Sequence, residues 1–351
     1  MLFFLTLFVI NHTQAKVYFV SPDGNNNSTG LTPKESMKSI QKGIELLTPG
    51  DTLWLMKGVY HQKFHSIISG TKQEPITIKG NVSTIVKGLV NNIKSKKIVE
   101  IKHSYIHLKG FTIDGHSGEH QRAIDYKDKL LLVQGNEQSP IRGVEIKGMR
   151  VLNALGECIR LKDFTQYTRI SNNIIKNCGL KDYKFGRGKK NGEAIYIGTA
   201  PEQLKSKSLD TSSYNEIKGN NLDPQGGECI DIKEGANHNL IAENNCFGGL
   251  DIHSGSISIR SSFNRIIGNY IFDNHGSGIR IGGDTKGIAI DNYVVKNLLI
   301  NNQFAALKIM DWPQKSVCRN QIHQKKGNKW IKVKSGIDKS AILRCNYGDD
   351  I

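Results

Sequence analysis

The stretches GECIRLK at 156–162, GEAIYIG at 192–198 and GECIDIK at 227–233 are three copies of one short phrase. Weaker copies follow as GSISIRS at 255–261 and GSGIRIG at 276–282. The first three copies begin 36 and then 35 residues apart, and the later ones lie closer together. A constant core with variable spacing is typical of stacked coils whose loops differ in length. The repeat therefore predicts a solenoid.

Aliphatic residues alternate with polar ones inside each copy, as in Ile230-Asp231-Ile232-Lys233. This period of two is that of a β-strand with one buried face and one face directed to solvent. Strands that repeat in this way form parallel β-helices, in which each coil buries its aliphatic side chains against the next coil. We therefore expect an all-β protein, a right-handed, single-stranded parallel β-helix.

Asparagines recur at a similar interval. Asn220, Asn244, Asn269 and Asn292 are separated by 24, 25 and 23 residues, and each has aliphatic neighbours. An asparagine amide inside a tight turn can donate to one coil and accept from the next, which satisfies bent backbone. The spacing predicts one internal ladder of these four side chains.

The beginning of the chain, MLFFLTLFVINHTQA at 1–15, is an apolar run that ends in the small-x-small pattern Thr13-Gln14-Ala15. Such a run predicts a cleaved signal peptide, and a buried first strand is the alternative. We expect a secreted protein, extracellular or, in a Gram-negative host, periplasmic. Residues 16–351 are expected to form a single β-helix domain.

Both ends of the solenoid are expected to differ from its coils. Met37, Ile40, Ile44 and Leu47 have helical spacing within 33–47 and predict an amphipathic helix, part of an N-terminal cap over about 16–50. From about 301 to 351 the pattern loosens, which predicts an irregular C-terminal segment. Within it, residues 325–330 resemble an exposed hairpin.

The six cysteines are too few for a disulfide scaffold in a chain of 351 residues. Cys158 and Cys229 occupy equivalent positions two coils apart, about 10 Å at the usual strand spacing, which is too far for a bridge. We expect both to be free thiols in the wall. Cys318 and Cys345 flank the last segment and could pair.

The formal net charge is +16, with 48 basic and 32 acidic residues. A surplus of this size favours a polyanionic partner, although a generally lysine-rich proteome would also produce it. A secreted chain without a basic-aromatic motif is not expected to bind nucleic acid. No later segment approaches the ~18 apolar residues of a membrane span. We expect a monomer that binds an acidic polysaccharide.

Strand register assembles a candidate active surface. If Ile230 points inward, Asp231 and Lys233 point outward, and the next coil places Ser258 beside Asp231 and Arg260 beside Lys233. A row of cations on one strand face is unfavourable unless an anion or a metal ion lies against it. Further substrate-binding candidates on this surface are Arg160, Tyr196, Arg280 and His253.

Carboxylates accompany these cations. Glu157, Glu193 and Glu228 begin the strands of three successive copies, and Asp231 lies beside them. Three oxygens converging from adjacent coils suit Ca²⁺, with waters completing its shell. We predict a calcium site formed by Glu193, Glu228 and Asp231. The alternative is that each glutamate accepts hydrogen bonds from the backbone at the start of its coil.

The segment from about 190 to 295 resembles the parallel β-helix polysaccharide lyases, especially the alginate lyase and chondroitinase B group, and the wider pectate-lyase-like proteins. The resemblance lies in Glu228-x-x-x-x-Lys233 followed one coil later by Arg260. It implies a polysaccharide lyase that acts on a uronate polymer by β-elimination. In that family the lysine is the base and the arginine assists at the leaving oxygen or carboxylate.

The implied chemistry sets two requirements. Lys233 must have a depressed pKa to accept a proton, and neighbouring Arg260 acts in that direction. The uronate carboxylate must also be neutralised, which the resemblance assigns to Ca²⁺. The family carries a second calcium carboxylate where this chain has Gly226, so Asp231 or Glu193 would have to replace it.

Three other functions stay open. A non-catalytic protein that binds an acidic glycan, or a structural rod, needs no exact geometry at this surface. A C5-epimerase would share the proton abstraction and use an additional acid, for which Tyr196 or His253 could serve. A glycoside hydrolase on this fold would use clustered aspartates, and the signatures of the pectin-type hydrolases are missing.

Overall fold

The computed structural model describes residues 14–90, 96–186, 192–204, 208–283 and 285–351. Over these residues the chain forms a parallel β-helix in which successive strands pair only in parallel within three long sheets. We name the sheets A, B and C in the order in which each coil visits them. The predicted fold is confirmed. Residues 1–13, most of the predicted signal peptide, lie outside the described residues.

The strands of each sheet follow the stacking order of the coils. Sheet A consists of Val17–Val20, Thr52–Leu55, Ile76–Lys79, Ile106–Lys109, Glu145–Lys147, Arg169–Ser171, Glu216–Lys218, Leu240–Ala242, Arg265–Ile267, Tyr293–Val295 and Ser316–Cys318. Sheet B consists of Gly58–Tyr60, Thr84–Val86, Thr112–Asp114, Arg150–Leu152, Ile174–Lys176, Asn221–Asp223, Asn245–Phe247, Tyr270–Phe272, Leu298–Ile300, Gln321–Gln324 and Tyr347–Asp350. Sheet C consists of Phe64–His65, Lys97–Ile101, Lys129–Gln134, Ile159–Lys162, Ile195–Ile197, Ile230–Ile232, Gly255–Ile259, Ser277–Ile281, Ala305–Ile309 and Lys329–Val333. A small separate sheet pairs Ile141–Arg142 with Thr165–Gln166.

Helices are short in the described ranges, and no helix there is long and apolar enough to cross a membrane. The α-helices are Ile40–Ile44, Leu180–Tyr183 and Lys339–Arg344, and the 3₁₀-helices are Pro33–Glu35, Ala123–Asp125 and Pro201–Gln203. The helix expected over 33–47 is therefore reduced to five residues. Met37 lies outside it, because it forms a parallel β-bridge with Val20 and the helix begins only after Ser39, whose side chain caps it. Two expectations stay predictions: this helix closes the solenoid, and residues 16–351 form one domain.

The core is a stack of aliphatic side chains from successive coils. In sheet C, Ile159, Ile195, Ile230, Ile257 and Ile279 occupy one register position and are completely buried. Burying such a side chain contributes about 1.5–3 kcal/mol. Because each coil covers the next, this stack fixes the register and therefore which side chains face outward.

Asparagine ladders line two turns. Asn220, Asn244 and Asn269 form the predicted ladder, in which each amide donates to the side-chain oxygen of the next, at 2.9 and 3.0 Å. The expectation for Asn292 is wrong, because Asn269 donates to Asn297 instead. Asn292 lies in the turn before sheet A, where its side-chain oxygen accepts a hydrogen bond of 2.9 Å from the backbone amide of Asn264.

The C-terminal segment is more regular than its sequence suggests. Strands at Ala305–Ile309, Ser316–Cys318, Gln321–Gln324 and Lys329–Val333 continue all three sheets. The hairpin expected at 325–330 is also wrong, since Lys329–Val333 pairs in parallel with Ala305–Ile309. These coils lack the glycine-led phrase, but their aliphatic residues keep the register.

Three disulfides join Cys158 to Cys178, Cys229 to Cys246 and Cys318 to Cys345. The pairing of Cys318 with Cys345 is confirmed, whereas the free thiols expected at Cys158 and Cys229 are wrong. Each of these two bonds to a cysteine in or just after a sheet B strand of the following coil. The bridges thus cross the interior between sheets C and B. Comparing equivalent positions on successive coils predicts contacts along the stack and not contacts across the interior.

Candidate functional site

The outer face of sheet C brings the predicted site residues into one column. Arg160, Tyr196, Asp231, Ser258 and Arg280 are in register on five successive strands, as predicted. This column continues with Lys308 and Lys332, which were not among the predicted site residues. They could have been found by extending the alternation into Leu307-Lys308-Ile309.

Three carboxylates converge at the centre of this face. Glu193, Glu228 and Asp231 are 4%, 4% and 0% exposed, and one ligand oxygen from each lies within 4.8 Å of the others. Burial, followed by the charge of Asp231 and Glu193, raises the pKa of Glu228 to about 8. Burial and the Glu157 carboxylate raise the pKa of Glu193 to about 7. The cluster is short of positive charge, which is the condition for a cation site.

Asp231 joins this cluster to the two predicted catalytic cations. Its carboxylate lies 2.5 Å from Lys233 Nζ and accepts a hydrogen bond of 3.1 Å from Arg260 Nε. Arg260 also lies 3.8 Å from a Glu228 oxygen, and the Ser254 hydroxyl donates to that oxygen. Although burial disfavours the charged form, Arg260 and Lys233 lower the pKa of Asp231 below its ordinary value.

The expected depression of the Lys233 pKa is wrong for the protein without a bound ion. Burial is the largest single influence and lowers that pKa, but the charges of Asp231, Tyr196 and Glu193 together raise it above the ordinary lysine value. Arg260 acts in the predicted direction, although its effect is smaller than that of Asp231. Alternation places Asp231 and Lys233 on one strand face, but it does not give the distance between their side chains, on which this attraction depends.

Tyr196 lies between two cations. Arg160 and Lys233 are 4.4 and 4.7 Å from its ring centre. Its hydroxyl is buried and has no hydrogen-bond partner among the described residues. Arg160 also forms an ion pair with Glu157, and Glu157 forms a second ion pair with Lys129. Lys129 also lies 3.8 Å from Asp128, so two carboxylates balance the two cations on the N-terminal side of the site.

The C-terminal side carries excess positive charge. Arg280 and Lys308 are neighbours in register, and burial followed by the charge of Arg280 lowers the pKa of Lys308. Lys308 Nζ donates a hydrogen bond of 2.7 Å to the His253 carbonyl. His253 itself is exposed, and no described contact joins its ring to Lys233 or the carboxylates.

The structure gives a steric reason for the glycine at position 226, where the resemblance would place a second calcium carboxylate. A Cβ atom at this position would lie 2.0 Å from the Cys178 carbonyl oxygen and 2.6 Å from that of Gly192. No side chain fits there without a backbone shift. In this chain the third carboxylate of the cluster comes from Glu193, on the preceding coil.

Comparisons with known proteins establish the fold. No protein-family model matches the chain, and no curated protein matches it. An alginate lyase from Paenibacillus sp. str. FPU-7 has a similar structure, with a TM-score of 0.64 and 18% identity over 84% of this chain and 95% of that one. The pectate lyase Pel9A matches with a TM-score of 0.59 and 13% identity, over 95% of this chain and 80% of that one.

Similar folds also carry other activities. The GH136 lacto-N-biosidase from Eubacterium ramulus matches with a TM-score of 0.59 and 13% identity, over 96% of this chain and 68% of that one. Because one fold can host unrelated reactions, these similarities support the parallel β-helix and leave the activity to the site residues.

Proposed function

We propose that this protein is a secreted polysaccharide lyase that cleaves a uronate-containing polysaccharide by β-elimination. The observation that carries the proposal is the contact of Lys233 and Arg260 with Asp231, inside a buried cluster that also holds Glu193 and Glu228. A proton acceptor, a fixed cation and metal-ligating oxygens are the parts that this reaction needs. The candidate substrates are alginate, pectate and glycosaminoglycans.

The reaction assigns a role to each group. The C5–H bond of a uronate residue breaks and its electron pair forms the C4–C5 double bond, while the glycosidic C4–O bond breaks and the departing oxygen takes up a proton to become a hydroxyl group. Lys233 is the proposed base that takes the C5 proton, and Arg260 is proposed to assist at the leaving oxygen or carboxylate. Negative charge spreads onto the uronate carboxylate as the proton leaves, so cations fixed opposite it stabilise the transition state.

Glu193, Glu228 and Asp231 are the proposed ligands of a calcium ion. They fit a hard cation because burial and mutual repulsion leave two of the three carboxyl groups with raised pKa values, a cost that a positive ion relieves. When bound, calcium would supply positive charge beside the uronate carboxylate and offset the field of Asp231 on the Lys233 proton.

The cationic end of the column is the proposed binding surface for the rest of the polymer. Arg280, Lys308 and Lys332 are stacked on neighbouring strands, about 5 Å apart at the usual strand spacing. Such a row suits successive carboxylates of a linear polyanion. Arg160 and Tyr196 are proposed to contact the residues on the other side of Lys233.

The disulfides support export. Three bridges account for all six cysteines, and disulfides persist in oxidising compartments rather than in the cytosol. We therefore propose an extracellular or periplasmic location.

A second candidate function is a non-catalytic glycan-binding protein. The observation that favours it is the raised pKa of Lys233, which holds this side chain as an ammonium ion beside Asp231. An ammonium ion binds anions and cannot accept a proton. The cationic column would then serve binding alone.

One assay separates the two functions. Purified protein is incubated with alginate, polygalacturonate or chondroitin sulfate, with Ca²⁺ or with chelator, and the ultraviolet absorbance of the unsaturated product is followed. We expect a rise that Lys233→Met abolishes and that Lys218→Met, an exposed lysine on sheet A, leaves unchanged. A flat trace with every polymer, together with polymer binding that Lys308→Met weakens, would favour the binding function.

A further inference from the structure

We propose that a cleft beside the turns from sheet B to sheet C binds one or two sugar residues, with the Tyr183 hydroxyl as its innermost hydrogen-bonding group. The cleft has a volume of about 500 Å³ and opens between residues 116–126 and the helix Leu180–Tyr183. This volume is within the range of small-molecule sites. The location follows from the cleft itself, whereas the uronate identity of the ligand rests on the proposed function.

Amide side chains line one wall of the cleft. Asn153, Asn177 and Gln225 follow sheet B strands on three successive coils, all in the left-handed backbone conformation. Asn177 Nδ2 donates to Asn153 Oδ1 at 2.9 Å, and Gln225 Nε2 donates to Asp223 at 2.6 Å. These bonds leave the amide oxygens of Asn177 and Gln225 to accept from a ligand. Sugar hydroxyl groups are suitable donors.

Tyr183 supplies an observation that points to a ligand. Its hydroxyl is buried, yet it makes no hydrogen bond among the described residues, and its side chain lines the cleft. A buried hydroxyl without a partner is unfavourable, so a group that binds there and pairs with it gains more than at a solvated position. A sugar hydroxyl would complete this hydrogen bond.

Aromatic and cationic groups form another part of the lining. The Tyr126 ring is stacked on His116 with 4.6 Å between ring centres. Lys184 Nζ donates to Gln121 Oε1 at 2.6 Å and to the Tyr126 hydroxyl at 3.2 Å. An ammonium ion has three donors, so one remains for an acidic group of the ligand. Apolar ring surface, amides and one fixed cation together suit an acidic sugar.

The cleft adjoins the carboxylate cluster. Gln225 lines the cleft and precedes Glu228 by three residues, which limits the distance between their Cα atoms to about 10 Å. The Leu250 side chain lines the cleft, and its amide donates to the Gly226 carbonyl at 2.7 Å. One oligosaccharide can therefore reach both the cleft and the outer face of sheet C, and the cleft would fix which sugar lies at Lys233.

The test measures binding without turnover. In a Lys233→Met background, the Kd values of saturated mannuronate, guluronate and galacturonate trisaccharides are measured by calorimetry in the presence of Ca²⁺. We expect Tyr183→Phe, which removes only the hydroxyl, to raise the Kd of the best ligand about fivefold to tenfold. Lys184→Met, at an exposed position that should not disturb folding, is expected to act similarly. Tyr167→Phe, an exposed tyrosine outside the cleft, is the control and should not change the Kd.

The outcomes separate this inference from the proposed function. Unchanged Kd values for both cleft variants, or no binding of any trisaccharide at millimolar concentration, would overturn the cleft. The same holds if wild-type protein forms unsaturated product and Tyr183→Phe leaves its KM unchanged, although the lyase would stand. Weaker binding by both variants, with no product from any polymer, would keep the cleft and reject the lyase.

Discussion

Calcium binding should release protons from the carboxylate cluster, and Glu228→Gln should remove most of that release. The pKa values of Glu193 and Glu228 are raised to about 7 and about 8, chiefly by burial and then by neighbouring carboxylates. At neutral pH both groups therefore carry protons much of the time. A metal ion binds carboxylates in their ionised form, so these protons must leave when it binds.

The two pKa values give the size of the effect. At pH 7 Glu193 holds about half a proton and Glu228 about nine-tenths, which makes about 1.4 protons released per Ca²⁺. At pH 9 the release falls to about 0.1, and the fraction of sites with both groups ionised is about twentyfold higher than at pH 7. With Glu228→Gln, the release at pH 7 should fall to about 0.5, and the affinity should change only about twofold between pH 7 and pH 9.

Isothermal titration calorimetry in two buffers with different ionisation enthalpies counts the protons directly. The matched control is Glu243→Gln, because Glu243 is an exposed carboxylate that pairs with Lys218 away from the cluster. Calcium binding without proton release at pH 7, or equal release from wild type and Glu228→Gln, would refute this account of the cluster. Failure to bind Ca²⁺ at either pH would refute the metal assignment itself.

Three further predictions concern stability. Asn244→Ala should lower the free energy of unfolding by about 2–5 kcal/mol in urea denaturation, because it leaves the buried amide nitrogen of Asn220 and the buried amide oxygen of Asn269 without these hydrogen bonds. Replacing Cys229 and Cys246 by alanine should lower it by about 3 kcal/mol, the chain-entropy value for a loop of 17 residues, measured in the same way. Without calcium, stability measured by urea denaturation should fall as pH rises from about 4.5 to about 8. The folded state holds protons on Glu193 and Glu228 in that window and the unfolded state does not, and each proton contributes at most about 1.4 kcal/mol per pH unit.

The residues of the candidate site could be selected from the sequence because the repeat fixes their register. Once Ile230 and Ile257 are assigned to the interior, alternation determines that Asp231 and Ser258 share the outer face, and the structure has them paired. The carboxylate cluster follows from the same repeat, since each glutamate stands at the same place in its phrase. The register says which residue of one coil lies beside which residue of the next, and the positions of the repeated phrases in the sequence determine it.

Contacts within one coil and across its interior could not be read in this way. The pKa of Lys233 depends on the 2.5 Å approach of Asp231, whereas the repeat emphasised Arg260 on the next coil. Cys229, just before a sheet C strand, bonds across the interior to Cys246 in a sheet B strand. Tyr183 lines the cleft from the short helix Leu180–Tyr183, which interrupts the repeat and follows no periodic pattern.

The distribution of charge along the outer face of sheet C links metal dependence to substrate binding. Carboxylates lie on the coils of Glu193 and Asp231, whereas cations occupy the coils from Arg280 to Lys332. A polyanion is attracted to the cationic end and repelled by the carboxylates, so its residue nearest Lys233 would be held poorly unless a cation balances the cluster. The ion that activates this residue for elimination would therefore also bring it into position. Under the proposed lyase reaction, chelation should raise KM and lower kcat together, whereas loss of Lys308 should act mainly on KM.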